Sequence, residues 1–224
     1  MSTLSSLILV FLSIASVFSF TLRQSHNDNM CKTMGSILCI KEELAIIATV
    51  ANGIARASKE IEETIVQIKT LKTLNLHVNM EINYTQFNVP IPEYHNEFFQ
   101  VNNIDKEFLR ELFFEAHNAM LFYYNSIEDL LNLKVEYADP IDQSIKKIQD
   151  SLRYEIICRY RSALNAFSQK WKSVNEIGRI NFSRQHRLAP SFTHHIHSVV
   201  IVRYLQQWMK LINSVIVNLE SKFF

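Results

Sequence analysis

The stretch from Ile40 to Asn75, IKEELAIIATVANGIARASKEIEETIVQIKTLKTLN, carries Ile40, Leu44, Ile47, Ala51, Ile54, Ser58, Ile61, Ile65 and Ile68 at alternating spacings of four and three. That alternation is a heptad seam, the pattern of a helix that buries one continuous stripe against neighbours. Between the seam positions lie Lys41, Glu42, Glu43, Arg56, Lys59, Glu60, Glu62 and Glu63, a solvated face. Segment A is therefore expected to be one helix over 40–75, about 50 Å long at 1.5 Å rise per residue.

Three further segments repeat the helical period. Segment B, 103–133, has Asn103 as its N-cap candidate and lines one face with Phe108, Leu112, Ala116, Ala119, Tyr123, Ile127, Leu130 and Leu131. Segment C, 140–178, opens at Asp139-Pro140, buries Ile141, Ile145, Ile148, Leu152, Ile156, Ala163, Phe167, Trp171, Val174 and Ile177, and is expected to stop at Gly178. Segment D, 193–223, has Val202, Leu205, Met209, Ile212, Ile216, Leu219 and Phe223 on a second seam, widened by Ile201, Trp208, Leu211 and Val215. A stripe that broad suits a helix in a bundle of four.

The connections run long, short, long. Residues 76–103 lose the helical period, and a link of about 28 residues is long for antiparallel neighbours but sufficient to travel the length of A and start B parallel to it. Val135 to Asp139 is a tight turn, and Arg179 to Ser191 is a second aperiodic link. The expected fold is all-α, a four-helix bundle running up-up-down-down with two long crossover loops.

Ahead of the bundle, Leu7 to Val17 is apolar and uncharged, and Val17-Phe18-Ser19 offers small residues at a cleavage site. Residues 1–19 are expected to be a secretory signal peptide, 20–39 an N-terminal segment, and 40–224 the bundle. A signal anchor is the alternative, although the apolar run is shorter than the ~18 residues a span needs. No later segment is apolar enough to cross a bilayer, so no membrane insertion of the mature chain is expected. Net charge is +1 with both signs interspersed, which gives no stripe for nucleic acid. Three Gly and four Pro in 224 residues disfavour a fold of many turns and short strands.

Cys31, Cys39 and Cys158 are an odd number in a chain expected to enter an oxidising compartment. Cys31 or Cys39 could bridge to Cys158, or Cys31 to Cys39 locally, and the remaining thiol is either buried or joins two chains, giving a monomer or a disulfide-linked dimer. Asn83-Tyr84-Thr85 and Asn181-Phe182-Ser183 are glycosylation acceptor sequences, both in expected loops.

Catalytic and metal chemistry find little support. His194, His195 and His197 are read as polar residues opening segment D, and Glu111, Glu115 and His117 as a solvated face. No glycine-rich phosphate loop or activated nucleophile is legible, so no enzyme, cofactor or metal is expected. Exposed candidates for protein contact are Arg203, Gln206, Gln207 and Lys210 on D, and Arg153, Arg159 and Arg161 on C.

The loop order, the A helix and the final run Val199-Val200-Ile201-Val202-Arg203-Tyr204-Leu205-Gln206-Gln207-Trp208-Met209-Lys210 resemble a long-chain class I helical cytokine of the interleukin-6 type, a group that includes the insect Unpaired-type ligands. The resemblance implies a secreted, extracellular ligand that clusters cell-surface cytokine receptors and activates JAK/STAT signalling. It also implies a first receptor surface at the end of D with the A–B loop, a second on the exposed faces of A and C, and a third at the start of D. Some relatives carry Phe-x-x-Lys at that third surface, where this chain has Phe192-Thr193-His194-His195. A cysteine ahead of helix A bridged to helix C also occurs among relatives, which points to Cys31 or Cys39 with Cys158. The alternatives are a secreted lipid-binding, apolipoprotein-like bundle and a secreted effector or structural bundle of the same shape.

Overall fold

A computed structural model describes residues 40–67, 73–133, 140–167, 171, 177–183 and 188–223. The expected signal peptide 1–19, the segment 20–39 with Cys31 and Cys39, and the turn Val135 to Asp139 lie outside the described residues. Those residues form α1 (Ile40–Val66), α2 (Leu74–Thr85), α3 (Glu93–Glu97), α4 (Lys106–Asn132), α5 (Pro140–Ser151), a π-helical turn (Leu152–Ile157), α6 (Cys158–Phe167) and α7 (Pro190–Phe223). The fold is all-α, with no strand among the described residues.

The heptad seam of α1 is buried as its spacing requires. Leu44, Ile47, Ala51, Ile54, Ser58, Ile61 and Ile65 are all withdrawn from solvent, while Lys41, Arg56, Lys59 and Glu60 are exposed. Each fully buried Leu or Ile contributes about 1.5–3 kcal/mol of transfer free energy, and Ile47→Ala would cost about 2–5 kcal/mol. The helix is shorter than expected, ending at Val66, and Leu74 and Asn75 belong to α2. The seam position Ile68 lies outside the described residues.

α1 lies along α7 in the most extensive helix–helix contact among the described residues. Arg203 Nε donates to Glu62 Oε1 at 2.7 Å and Gln206 Nε2 to the Ala55 carbonyl at 3.3 Å, so going forward on α7 means going back on α1. Arg159 at the start of α6 meets Glu43 near the start of α1 at 2.5 Å. At the other end of α1, Ile61 and Thr64 share a groove with Pro140 and Ile141.

The aperiodic link 76–103 contains two helices that hydropathy missed. α2 buries Leu74, Val78, Glu81 and Thr85; two of those four are polar, so its apolar period is broken although its geometric period is intact. α2 rests on α7, where the Tyr204 hydroxyl donates to the Ile82 carbonyl at 3.1 Å. α4 starts three residues later than expected, because Asp105 is the N-cap: its Oδ1 accepts from Phe108 N at 2.8 Å and satisfies one of the orphan donors of the first turn.

Segment C is not one uniform α-helix to Gly178. The π-helical turn closes with Cys158 N donating to the Arg153 carbonyl, five residues back. The extra residue re-phases the face: Ile141, Ile145 and Ile148 are buried before it, and Leu152, Ile156, Ile157, Cys158 and Tyr160 are buried within and after it. Described helix ends at Phe167, and Trp171, Ile177 and Gly178 are not helical; the residues directly ahead of Ile177 lie outside the described residues. α7 begins at Pro190 rather than 193, since a proline at the first helical position gives up an N–H that would be unsatisfied there anyway.

Candidate receptor interface

The residues expected to meet a receptor do not form one surface. Arg203 and Gln206 are half-buried in the α1–α7 seam, where they hold Glu62 and Ala55. Lys210 is exposed, with Nζ 3.3 Å from Gln206 Oε1. Gln207 is exposed and lines a cavity of about 240 Å³ with Val89, Pro90, Ile91 and Trp208. Arg153 and Arg161 lie toward α4 instead. The Arg153 guanidinium sits 5.0 Å from the Tyr154 ring centre, and Arg161 is 5.9 Å from that of Trp171. Arg159 is not a surface contact: its side chain is 15% exposed and it pairs with both Glu43 and Glu155.

Phe192, at the expected third surface, is half-buried and meets His77 of α2 edge to face at 5.4 Å. Of the neighbouring histidines, His194 and His197 pack against other segments, whereas His195 stays half-exposed and bonds the Ser191 carbonyl of its own first turn at 2.6 Å. His194 is buried with Nε2 3.3 Å from Asp142 Oδ1, an acidic neighbour that the sequence around it did not reveal. His197 stacks on Phe182 at 3.8 Å, and burial lowers its pKa to about 4 despite the pull of Glu81 upward. Among the described residues, no group of three or more His, Cys, Asp or Glu side chains is placed to hold a metal ion.

Glu115 and His117 are not a solvated face either. His117 is fully buried against Trp171, and burial lowers its pKa to about 4. Glu115 grips α3 from outside: its carboxylate accepts from Tyr94 N at 2.9 Å and His95 N at 3.1 Å, and from His95 Nδ1 at 2.6 Å. The carboxylate satisfies the free N–H groups at the start of a helix too short to satisfy them itself. His95 then packs against Trp208, whose indole N–H donates to the Pro90 carbonyl at 3.2 Å. A long link is thereby fixed to α4 and α7, which gives the cavity beside Gln207 a rigid wall.

A second opening lies between α1 and α5. It measures about 500 Å³ and is lined by Gly53, Ala57, Glu60, Ser144, Lys147 and Ser151, among others. Small side chains on both helices leave room there, and beyond the adjoining residues and backbone of its own helix no described atom lies within 4 Å of where a Cβ on Gly53 would stand. Glu60 and Lys147 supply one charge of each sign at its edge. An apolar floor with a polar rim is the arrangement protein interfaces use.

Both sequons are tied to one buried residue, Glu81: the first through its backbone carbonyl, the second through its carboxylate. Asn83 lies in α2, not in a loop, and is exposed; Asn181 is exposed in a segment without helix. Thr85 is fully buried and its hydroxyl donates to the Glu81 carbonyl at 2.8 Å. Ser183 donates to the Glu81 carboxylate from both its backbone N–H, at 2.6 Å, and its hydroxyl. Glu81 itself is 1% exposed. Tertiary pairing across about a hundred positions of sequence has no local signature.

Cys158 is buried and disulfide-bonded, and the chain's other cysteines, Cys31 and Cys39, lie outside the described residues. No helix among the described residues is long and apolar enough to cross a membrane. No family model, curated protein or solved structure matches the chain.

Proposed function

We propose that this protein is a secreted helical cytokine, a non-catalytic ligand that clusters cell-surface receptors and activates JAK/STAT signalling. The observation that carries the reading is the order of helix contacts. Glu62–Arg203 and Ala55–Gln206 pair α1 with α7 in opposite senses, and Glu43–Arg159 with the Ile61–Ile141 groove pair α1 with α5–α6 in opposite senses. Phe113 meets Tyr160 and Phe167 early in α4, and a short link joins the end of α4 to α5. His194 and Asp142 bring the starts of α7 and α5 together. These contacts support α1 and α4 pointing one way and the other two long helices the other, the up-up-down-down four-helix bundle with two crossover links.

On this reading the α1–α5 groove is the principal receptor surface and the Gln207 cavity a second. Two separate openings on one ligand are what receptor clustering requires. The bridge of Cys158 to Cys31 or Cys39 would tether the N-terminal segment to the third long helix.

Purified protein added to receptor-bearing cells of the source organism tests the reading. STAT phosphorylation that is lost on Gly53→Arg, with fold and secretion unchanged, is the expected result. Absence of any phosphorylation, with lipid co-purifying instead, would replace the cytokine reading by the lipid-binding one.

A further inference from the structure

α2 buries one face on α7 and leaves an apolar one in solvent. Leu76, Met80 and Tyr84, one turn apart, are each at least half exposed, and Phe87, 84% exposed, continues the line past the helix end. Monomers rarely leave such a contiguous stripe uncovered. At 100° per residue, Asn83 falls about 20° to the side of Leu76 away from Met80, so it borders the stripe at one edge of an arc of about 100° that ends at Tyr84, and its side chain is exposed.

We infer that the occupant of this stripe is an N-linked oligosaccharide carried by Asn83, its first sugars lying on Met80, Tyr84 and Phe87. Sugars present a face of polarised C–H groups, which complements the negative face of an aromatic ring. In the transfer the Asn83 amide nitrogen displaces the pyrophosphate of a lipid-linked oligosaccharide from the sugar C1. A new N–C1 bond replaces the C1–O bond, and the amide gives up one proton.

The fold also sets when this happens. Thr85, the third residue of the sequon, is fully buried with its hydroxyl donating to the Glu81 carbonyl, so the acceptor triplet is accessible only before α2 docks on α7. The inference rests on the secretion part of the proposed function and not on receptor signalling. It removes the outer face of α2 from the receptor-contacting surfaces and leaves the α1–α5 groove open.

The test uses full-length protein secreted from eukaryotic cells, with glycopeptide mass spectrometry at Asn83 and Asn181 and binding of a hydrophobic dye before and after glycoamidase treatment. The expected result is an occupied Asn83 whose deglycosylation raises dye binding several-fold, and an Asn83→Gln variant that reproduces the rise while Asn181→Gln does not. Should Asn83→Gln fail to be secreted, the treated wild-type protein decides. An unmodified Asn83 in the secreted protein overturns the inference, as does an occupied Asn83 whose removal leaves dye binding unchanged. Self-association of the glycosylated protein that Met80→Asp abolishes also overturns it, in favour of a second copy as occupant. Retention of the chain inside the cell, unmodified, overturns the inference and the secretion reading together. Failure to phosphorylate STAT counts against signalling alone.

Discussion

Arg203 on α7 donates from Nε to Glu62 on α1 at 2.7 Å, with the two side chains only 26% and 24% exposed. A residue that reads in sequence as a solvent-facing contact for a partner is a clamp between two helices. Arg203→Ala is expected to destabilise the protein by about 1–2 kcal/mol, between an exposed pair and a fully buried one. Urea unfolding of R203A, E62Q and the double variant measures the coupling. Additive effects would mean that the pair contributes nothing to stability.

Glu115 is the external cap of α3. Glu115→Ala is expected to cost about 1–3 kcal/mol, because it leaves the Tyr94 and His95 N–H groups without their acceptor. Hydrogen exchange at those amides should accelerate well before α1 or α4 opens. Uniform acceleration across the chain would show that the link does not open on its own.

Glu81 accepts from Ser183 and not from Asn181. Ser183→Ala is expected to destabilise by about 1–3 kcal/mol through the weakened satisfaction of a buried carboxylate, whereas Asn181→Gln, which also abolishes the sequon, should leave the unfolding midpoint nearly unchanged. Comparing the two in unglycosylated protein separates the hydrogen bond from the sugar. Equal midpoints for both would contradict the role given to Glu81.

Gly53 stands in α1 with no described atom beyond the adjoining residues and backbone of its own helix within 4 Å of a Cβ added there. Gly53→Ala is expected to stabilise by about 0.5–1 kcal/mol, since alanine restricts the unfolded chain and no neighbour resists the methyl group. Thermal unfolding reads the effect. A lower midpoint would show that the groove is tighter than its lining implies.

His117 and His197 both have pKa values lowered to about 4 by burial, below the 6.5 of an unfolded histidine. The unfolded state therefore binds more protons between these values, so stability is complete above about pH 6.5 and falls as pH drops toward 4, by on the order of a few kcal/mol per group. His117→Gln should flatten the decline in urea midpoint over that window. An unchanged pH profile would indicate that His117 is protonated in the fold without penalty.

The α1 seam from Leu44 to Ile65 and the broad apolar stripe of α7 were legible in the chain, since a repeat of three and four residues dictates which face leaves water whatever the neighbour is. So was the all-helical class, from the long periodic runs and the scarcity of glycine. Tertiary structure alone decided where polar residues go. Glu81, Thr85, Glu115 and His117 sit at depths that hydropathy assigns to apolar side chains, and their partners Ser183, Tyr204, His95 and Trp171 are distant in sequence. A local pattern registers how apolar a residue is, whereas burial of a polar group depends on whether another segment brings it a hydrogen bond or a ring. The same distinction moved Arg159 and Arg203 from the surface into contacts between helices, and left the groove beside Gly53 and the cavity beside Gln207 as openings on the folded chain.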